Sequence, residues 1–204
     1  MAQPACSASQ LLPEQGRVRM RFLLKLADSL ESVTRICLNV VAWMMVPMVC
    51  AIVFEVLTRR ARVEVPVLTS VRLLELQWHF HVILFMLCLG YGYLRNVHVR
   101  IDMAVSKTTA RTRAWIELIG LVTLFFPFVV MLLYWGYVYW SASYVLNESS
   151  DNTEGLPYRW LIKPVMPIGA TLLVIAGICN ALRLIVYLFG SREHSDEAKP
   201  VIAQ

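Results

Sequence analysis

Long apolar stretches separated by short polar ones dominate the pattern of this chain. Each stretch is about twenty residues long and nearly free of charge, which is the length of helix that crosses the hydrocarbon core of a bilayer. Polar residues collect where the apolar stretches end. The pattern therefore predicts four membrane-spanning helices, at about 36–57, 74–94, 114–139 and 162–182.

Prolines mark the interruptions within and between these helices. Pro47 falls in the middle of the first predicted span and Pro127 falls in the third. We expect a kink at each, because proline lacks the backbone N–H that a helix needs. Pro66 breaks any helix in the connection after the first span, and Thr69 or Ser70 is a candidate N-cap for the second.

The segments outside the spans are polar. Residues 17–33 place apolar side chains near one helical face and basic ones near the other, as in a helix that lies in the headgroup plane. The alternative, that this segment simply extends the first span, stays open. We predict an all-α integral membrane protein with four transmembrane helices and an amphipathic N-terminal interfacial helix. Its parts are a tail with that helix at 1–34, a four-helix membrane domain at 35–190, and a polar tail at 191–204.

Composition and charge agree with a membrane protein and orient it. The chain is 58% hydrophobic and 16% charged, whereas soluble domains average about 25% charged residues. Of 19 Lys and Arg residues, 13 fall on the side of the two termini and 6 on the other. The positive-inside bias therefore predicts that both termini are cytoplasmic. Five cysteines form no C-x-x-C pair, and we interpret them as small hydrophobic residues.

The polar residues near the spans offer few arrangements that could bind a metal or a cofactor. Glu55 and Arg59, four residues apart, share a helical face and are predicted to pair. Glu75 and His79 also share a face, so a metal or proton site is one option. A hydrogen-bonded pair is favoured, because two ligands alone seldom hold a metal. His79 and His81 are roughly 200° apart around a helix and cannot both ligate one ion from it.

Motifs for enzymes and for energy coupling do not occur in the sequence. It has no G-x-x-x-x-G-K-[ST] pattern and no internal repeat with broken helices, as a self-sufficient transporter usually has. Haem ligation by two histidines would need a further intramembrane histidine on a facing helix. We predict no catalytic residue, no cofactor and no metal. A helical accessory subunit is favoured; a membrane anchor of a redox enzyme complex and a stand-alone small carrier are the alternatives.

A set of motifs around the second span resembles a known family. Glu75-Leu76-Gln77-Trp78 opens this span, Gly90 lies late in it, and His98-Val99-Arg100-Ile101-Asp102 follows it. Arg59 ends the first span, and the stretch from Gly155 to Gly169 leads into the last. In these features the chain resembles the small permease subunit of tripartite ATP-independent periplasmic (TRAP) transporters, from about Ile36 to Leu188.

The resemblance implies a complex of three proteins in the bacterial inner membrane. A periplasmic substrate-binding protein captures an organic acid, commonly a carboxylate, and a large permease subunit moves it with a sodium gradient. The small subunit packs beside the large one as a scaffold, in contact with membrane lipids and not with nucleic acid. On this interpretation, the structural or subunit-interface candidates are Arg59, Glu75, Trp78, His98, Arg100 and Asp102.

Overall fold

A computed structural model describes residues 14–63, 65–95, 97 and 108–190, with side chains from residue 18 onward. The described residues form helices and their connections, without strands. A π-helical turn joins α4 to α5, and a short 3-10 helix precedes α6. The elements are α1 (Glu14–Ala42), α2 (Met45–Ala61), α3 (Ser70–Leu94), α4 (Ala110–Gly120), the π turn (Leu121–Phe125), α5 (Phe126–Val145), the 3-10 helix (Arg159–Leu161) and α6 (Val165–Phe189).

Four helical stretches in the described part of the chain are long and apolar enough to cross a membrane: Val18–Ala61, Ser70–Leu94, Ala110–Val145 and Arg159–Phe189. The predicted all-α fold with four spans is confirmed. The first stretch has 44 residues, or roughly 65 Å at 1.5 Å per residue, against a hydrocarbon core of about 30 Å. It must therefore tilt strongly or extend beyond the core. Helix α1 runs without a break from the predicted amphipathic segment, residues 17–33, into the first predicted span, which starts at about residue 36. The structure therefore shows no boundary between the two.

Pro47 interrupts the first span, as predicted, and the break lies one turn before it. Proline has no N–H to offer the carbonyl four residues earlier, which is that of Trp43, and its ring crowds that carbonyl. The N–H of Val46 bonds to the Trp43 carbonyl instead, at 3.2 Å, and the N–H of Met44 bonds to Val41 at 2.8 Å. These shorter-range bonds form the turn between α1 and α2.

The second predicted kink, at Pro127, does not break its helix, whereas the predicted cap at Thr69 is present. Pro127 follows the π turn, whose wider hydrogen-bonding pattern keeps the helix continuous past the proline. The Thr69 hydroxyl caps α3, 3.4 Å from the N–H of Arg72. Thr109 caps α4 in the same way, 3.3 Å from the N–H of Thr112. The helix of the third span thus begins at Ala110, a turn before its predicted start.

Helices α3 and α6 form the centre of the bundle and run parallel. Met86 of α3 faces Gly169 of α6, and Gly90 faces Leu172. A Cβ atom on Gly169 would lie 2.6 Å from the Met86 carbonyl oxygen, and one on Gly90 would lie 2.7 Å from the Leu172 carbonyl oxygen. Small residues that let two backbones approach this closely are typical of packing between membrane helices.

The bundle has two ends, which we name after one residue at each. The Glu75 end holds the close of α2 and α5 and the start of α3 and α6, and the Arg183 end lies opposite. At the Arg183 end, fully buried Ala27 of α1 packs with Leu94 and Cys179. Arg183 forms ion pairs with Asp28, at 3.0 Å, and with Glu31. These contacts hold α1 against α6.

Glu55 and Arg59 form the predicted ion pair near the end of α2. Glu55 is only 6% exposed, so Arg59→Ala would leave a buried carboxylate without its counter-ion. Because Arg59 itself is largely exposed to solvent, we expect a loss of about 1–2 kcal/mol of stability, below the range for fully buried pairs. Thermal unfolding of the purified protein measures this loss. Adding Glu55→Gln should restore most of it, and a double variant as unstable as Arg59→Ala would contradict the explanation.

Candidate functional site

Glu75 connects α3 to the loop between α5 and α6, which comprises residues 146–158. Its side chain is 5% exposed, and the Thr69 cap fixes the start of its helix just over one turn earlier. The Glu75 carboxylate accepts one hydrogen bond from the Ser150 hydroxyl and another from the Leu156 N–H, at 2.6 Å. The loop thereby supplies the hydrogen bonds that a carboxylate buried at the end of a span requires.

The 146–158 loop also has hydrogen bonds of its own around this carboxylate. The Ser150 N–H donates to the Leu156 carbonyl at 3.2 Å, and the Gly155 N–H donates to the Asn152 carbonyl at 3.0 Å. A Cβ atom on Gly155 would collide with Ser150 and lie 2.9 Å from a Glu75 oxygen. The loop therefore needs glycine at this position to reach the carboxylate.

Two arginines bind the same loop. Arg72, on the first turn of α3, donates from Nε to the Glu154 carbonyl at 3.0 Å. Arg159 forms an ion pair with Asp151 at 3.3 Å, and its guanidinium lies 5.5 Å from the centre of the Trp78 ring. Such a position over an indole face is favourable for a cation. Trp78 thus belongs to this arrangement.

The ends of α5 and α6 are joined by a second group of polar contacts. Lys163 forms an ion pair with Glu148 and lies 4.0 Å from the centre of the Tyr139 ring. Trp160 donates from Nε1 to the Asn147 side chain at 3.0 Å. The hydrogen bond from Lys163 holds the pKa of the Glu148 carboxyl below its ordinary value. Glu148 therefore stays charged at neutral pH, and this ion pair is lost only as the pH falls through that lowered pKa.

His79 does not pair with the Glu75 carboxylate. Its Nδ1 atom lies 2.5 Å from the Glu75 backbone carbonyl, whereas the Glu75 carboxylate faces the loop. The predicted hydrogen bond between these two residues is thus present, but it involves the Glu75 backbone, while the loop supplies the carboxylate with a hydroxyl and an N–H donor. Among the residues that the structure describes, no three of the His, Cys, Asp and Glu side chains are close enough together to hold a metal ion.

A polar junction at the Arg183 end was not predicted from the sequence. Asn180 of α6 is 8% exposed and donates from Nδ2 to the Tyr93 hydroxyl, at 3.2 Å, and to Glu117, at 3.1 Å. Phe125 stacks on Tyr93 with 4.7 Å between ring centres, in space that Gly177 leaves free. The junction joins α3, α4 and α6. Asn and Glu inside apolar stretches usually face a bundle interior, and this signal could have identified both.

The six candidates of the sequence analysis divide into two groups. Arg59, Glu75 and Trp78 all lie toward the Glu75 end. Glu75 binds the 146–158 loop directly, Trp78 lies beside Arg159, which pairs with Asp151 of that loop, and Arg59 binds Glu55 on α2. The other three, His98, Arg100 and Asp102, lie outside the described residues. Sequence reasoning missed Ser150 and the Leu156 N–H as partners of Glu75, because nothing in the local pattern connects positions so far apart.

Comparison with known proteins finds a family whose model matches this chain. The model of the family described as "Tripartite ATP-independent periplasmic transporters, DctQ component" matches residues 48–186, which is more than half of the chain. The match begins in α2, ends in α6 and contains the whole of the 146–158 loop. Neither the curated proteins nor the solved structures include a match to this chain.

Proposed function

The chain belongs to the DctQ family of small TRAP transporter components, and on that premise we propose that it is the membrane-fixed scaffold of its large permease subunit. A member of this family is a multi-pass component of a transporter and not an enzyme. Scaffolding here means that the chain holds the static part of the large subunit at a fixed depth while another part moves the solute.

The packing of the bundle is the observation that carries this proposal. Bonded polar side chains collect at the Glu75 end, around Glu75 and Lys163, and at the Arg183 end, around Asn180. Between the two ends, α3 and α6 pack through glycine contacts that leave no room for a Cβ atom. A close-packed middle with polar groups fixed at both boundaries suits a rigid support.

We infer that the chain lies in the bacterial inner membrane with both termini in the cytoplasm. The 13 basic residues on the side of the termini, against 6 on the other, support this orientation. The Glu75 end then faces the periplasm, where the 146–158 loop is available to a periplasmic binding protein. The Arg183 end and the terminal tails face the cytoplasm.

The proposed partners are the large permease subunit and the periplasmic substrate-binding protein of the same system. Uptake would be driven by sodium, and the solute would be an organic acid, most simply a carboxylate. In this scheme the chain itself binds neither the solute nor sodium. Its candidate residues act in structure or subunit contact: Arg59, Glu75, Trp78, His98, Arg100 and Asp102.

Purification through a tag on this chain tests the proposal. Co-expressed large permease should be recovered with it in a constant ratio. Arg100→Ala or Asp102→Ala should reduce the amount of assembled complex more than the affinity of the complex for its loaded binding protein. Altered affinity or specificity with normal assembly would contradict the scaffold role, and so would a chain that purifies without the large permease.

A further inference from the structure

His81 is an ionisable side chain that points away from its own bundle at membrane depth. It lies six residues after Glu75 along α3, or about 9 Å further into the span at 1.5 Å per residue. The side chain is exposed, and its ring is parallel to the Phe85 ring, with 6.4 Å between the ring centres. Ionisable residues inside spans almost always face protein or water, because hydrocarbon offers no hydrogen-bond partner.

The other faces of α3 are already occupied by this chain. Gly90 and Met86 meet α6, and the Gln77 amide donates to the Ala51 carbonyl of α2 at 3.4 Å. His81, Leu74 and Phe85 lie one to three turns apart on a face that adjoins the Gln77 side of α3, because Gln77 is one turn before His81. Leu74 and Phe85 are 56% and 55% exposed. This face, which we call the His81 face, has nothing from the described residues packed over it.

Two exposed threonines in the spans differ from His81. The Thr123 hydroxyl donates to the Ile119 carbonyl of its own helix, and the Thr171 hydroxyl donates to the Pro167 carbonyl, each at 2.8 Å. Their hydrogen bonds are satisfied locally, so they can face lipid at little cost. The imidazole of His81 has one donor and one acceptor nitrogen, and neither forms a hydrogen bond with the described part of the chain. Both can therefore bond to a neighbouring molecule.

We propose that the His81 face contacts a transmembrane helix of the large permease, which presents a hydrogen-bonding side chain to the His81 imidazole. This inference rests on the proposed function, because it identifies which side of the scaffold meets its partner. The apolar residues Leu74 and Phe85 pack against the partner helix on either side, and the imidazole bond fixes its register. Lipid acyl chains or a second copy of this chain are the competing occupants of the face.

Photocrosslinking distinguishes these occupants. A benzoylphenylalanine in place of Phe85 should crosslink to the large permease in the co-expressed complex. The matched control is Phe128 of α5, which has the same residue type and nearly the same exposure, 57%, on another side of the bundle; there we expect no crosslink to protein. A crosslink from position 85 to a second copy, or a crosslink to the permease from position 128 but not 85, would overturn the inference.

The substitution His81→Leu should not destabilise the chain alone, but it should weaken the binding of the chain to the large permease. In the chain purified alone, thermal stability should stay unchanged or rise, because a polar side chain leaves an apolar surface. In the complex, the dissociation constant for the large permease should rise roughly three- to tenfold, the effect of one interhelical hydrogen bond. His81→Gln should restore binding, and Thr123→Leu should change neither quantity.

The outcomes separate this inference from the proposed function. If wild-type chain recovers the large permease but His81→Leu binds it equally well, the scaffold role stands and the His81 face is not the interface. If wild-type chain does not recover the large permease at all, the proposed function fails and the inference fails with it.

Discussion

Replacing Glu75 with Ala is expected to produce the largest loss of stability of any single polar substitution at the Glu75 end. The change removes a buried carboxylate that binds the Ser150 hydroxyl and the Leu156 N–H. Two partly buried donors on the loop lose their acceptor, which corresponds to about 2–4 kcal/mol, because each costs about 1–2, in the lower part of the range for buried unsatisfied groups. In a protein of this size we expect the melting temperature to fall by roughly 5–15 °C. Thermal unfolding of the purified chain measures the shift.

Glu154 is the matched control for this substitution. It lies in the same loop, is exposed, and contributes its backbone carbonyl to Arg72, so Glu154→Ala removes a carboxylate without removing that contact. The melting temperature of Glu154→Ala should stay within about 1–2 °C of wild type, as for ordinary surface changes. Equal losses from the two variants would show that negative charge in this region, and not the hydrogen bonds of Glu75, stabilises the protein.

Gly90→Ala is expected to separate the two central helices. The new Cβ atom would lie 2.7 Å from the carbonyl oxygen of Leu172 and 3.0 Å from its carbonyl carbon. These atoms belong to the backbone, so the conflict is relieved only if α3 and α6 move apart. Overpacking of this kind costs about 1–3 kcal/mol, and the movement would also shift the faces offered to a partner. We expect lower thermal stability and less recovered complex.

Gly120→Ala provides a control of opposite sign. Gly120 is the last residue of α4, and a Cβ atom there would have nothing within 4 Å. Alanine favours a helix over glycine by about 0.8–1 kcal/mol, so this variant should be as stable as wild type or slightly more stable. A loss of stability at Gly120 comparable to that at Gly90 would contradict the packing explanation.

Local chemistry explains which parts of the fold could be predicted. The spans follow from apolar stretches of membrane length, the break near Pro47 from a missing N–H, and the Thr69 cap from a hydroxyl three residues before an unpaired N–H. The ion pair of Glu55 with Arg59 follows from a spacing of one helical turn. The break near Pro47, the Thr69 cap and the ion pair each depend on residues within about one turn of one another.

Contacts between distant segments could not be read from the pattern. The sequence gives Glu75 a helical neighbour in His79, yet its carboxylate binds groups that lie 75 and 81 residues further along. Gly90, in the span that opens with Glu-Leu-Gln-Trp, is part of the family resemblance. The need for glycine at this position comes from the nearby Leu172 carbonyl, which can be identified only once α6 is seen beside α3. The pattern does not mark where the first span starts, because an amphipathic segment and a span can form one continuous helix, as they do in α1.

Solute uptake into proteoliposomes tests most directly whether this chain is a support without a solute pathway of its own. The assay compares vesicles that contain this chain alone, the large permease alone, and the two together, each with loaded binding protein and an inward sodium gradient. We predict uptake from the complete system, none from this chain alone, and a Glu75→Ala complex that transports less in proportion to its lower assembly, with unchanged KM. Solute flux through this chain alone, or a changed KM in a fully assembled Glu75→Ala complex, would contradict the account.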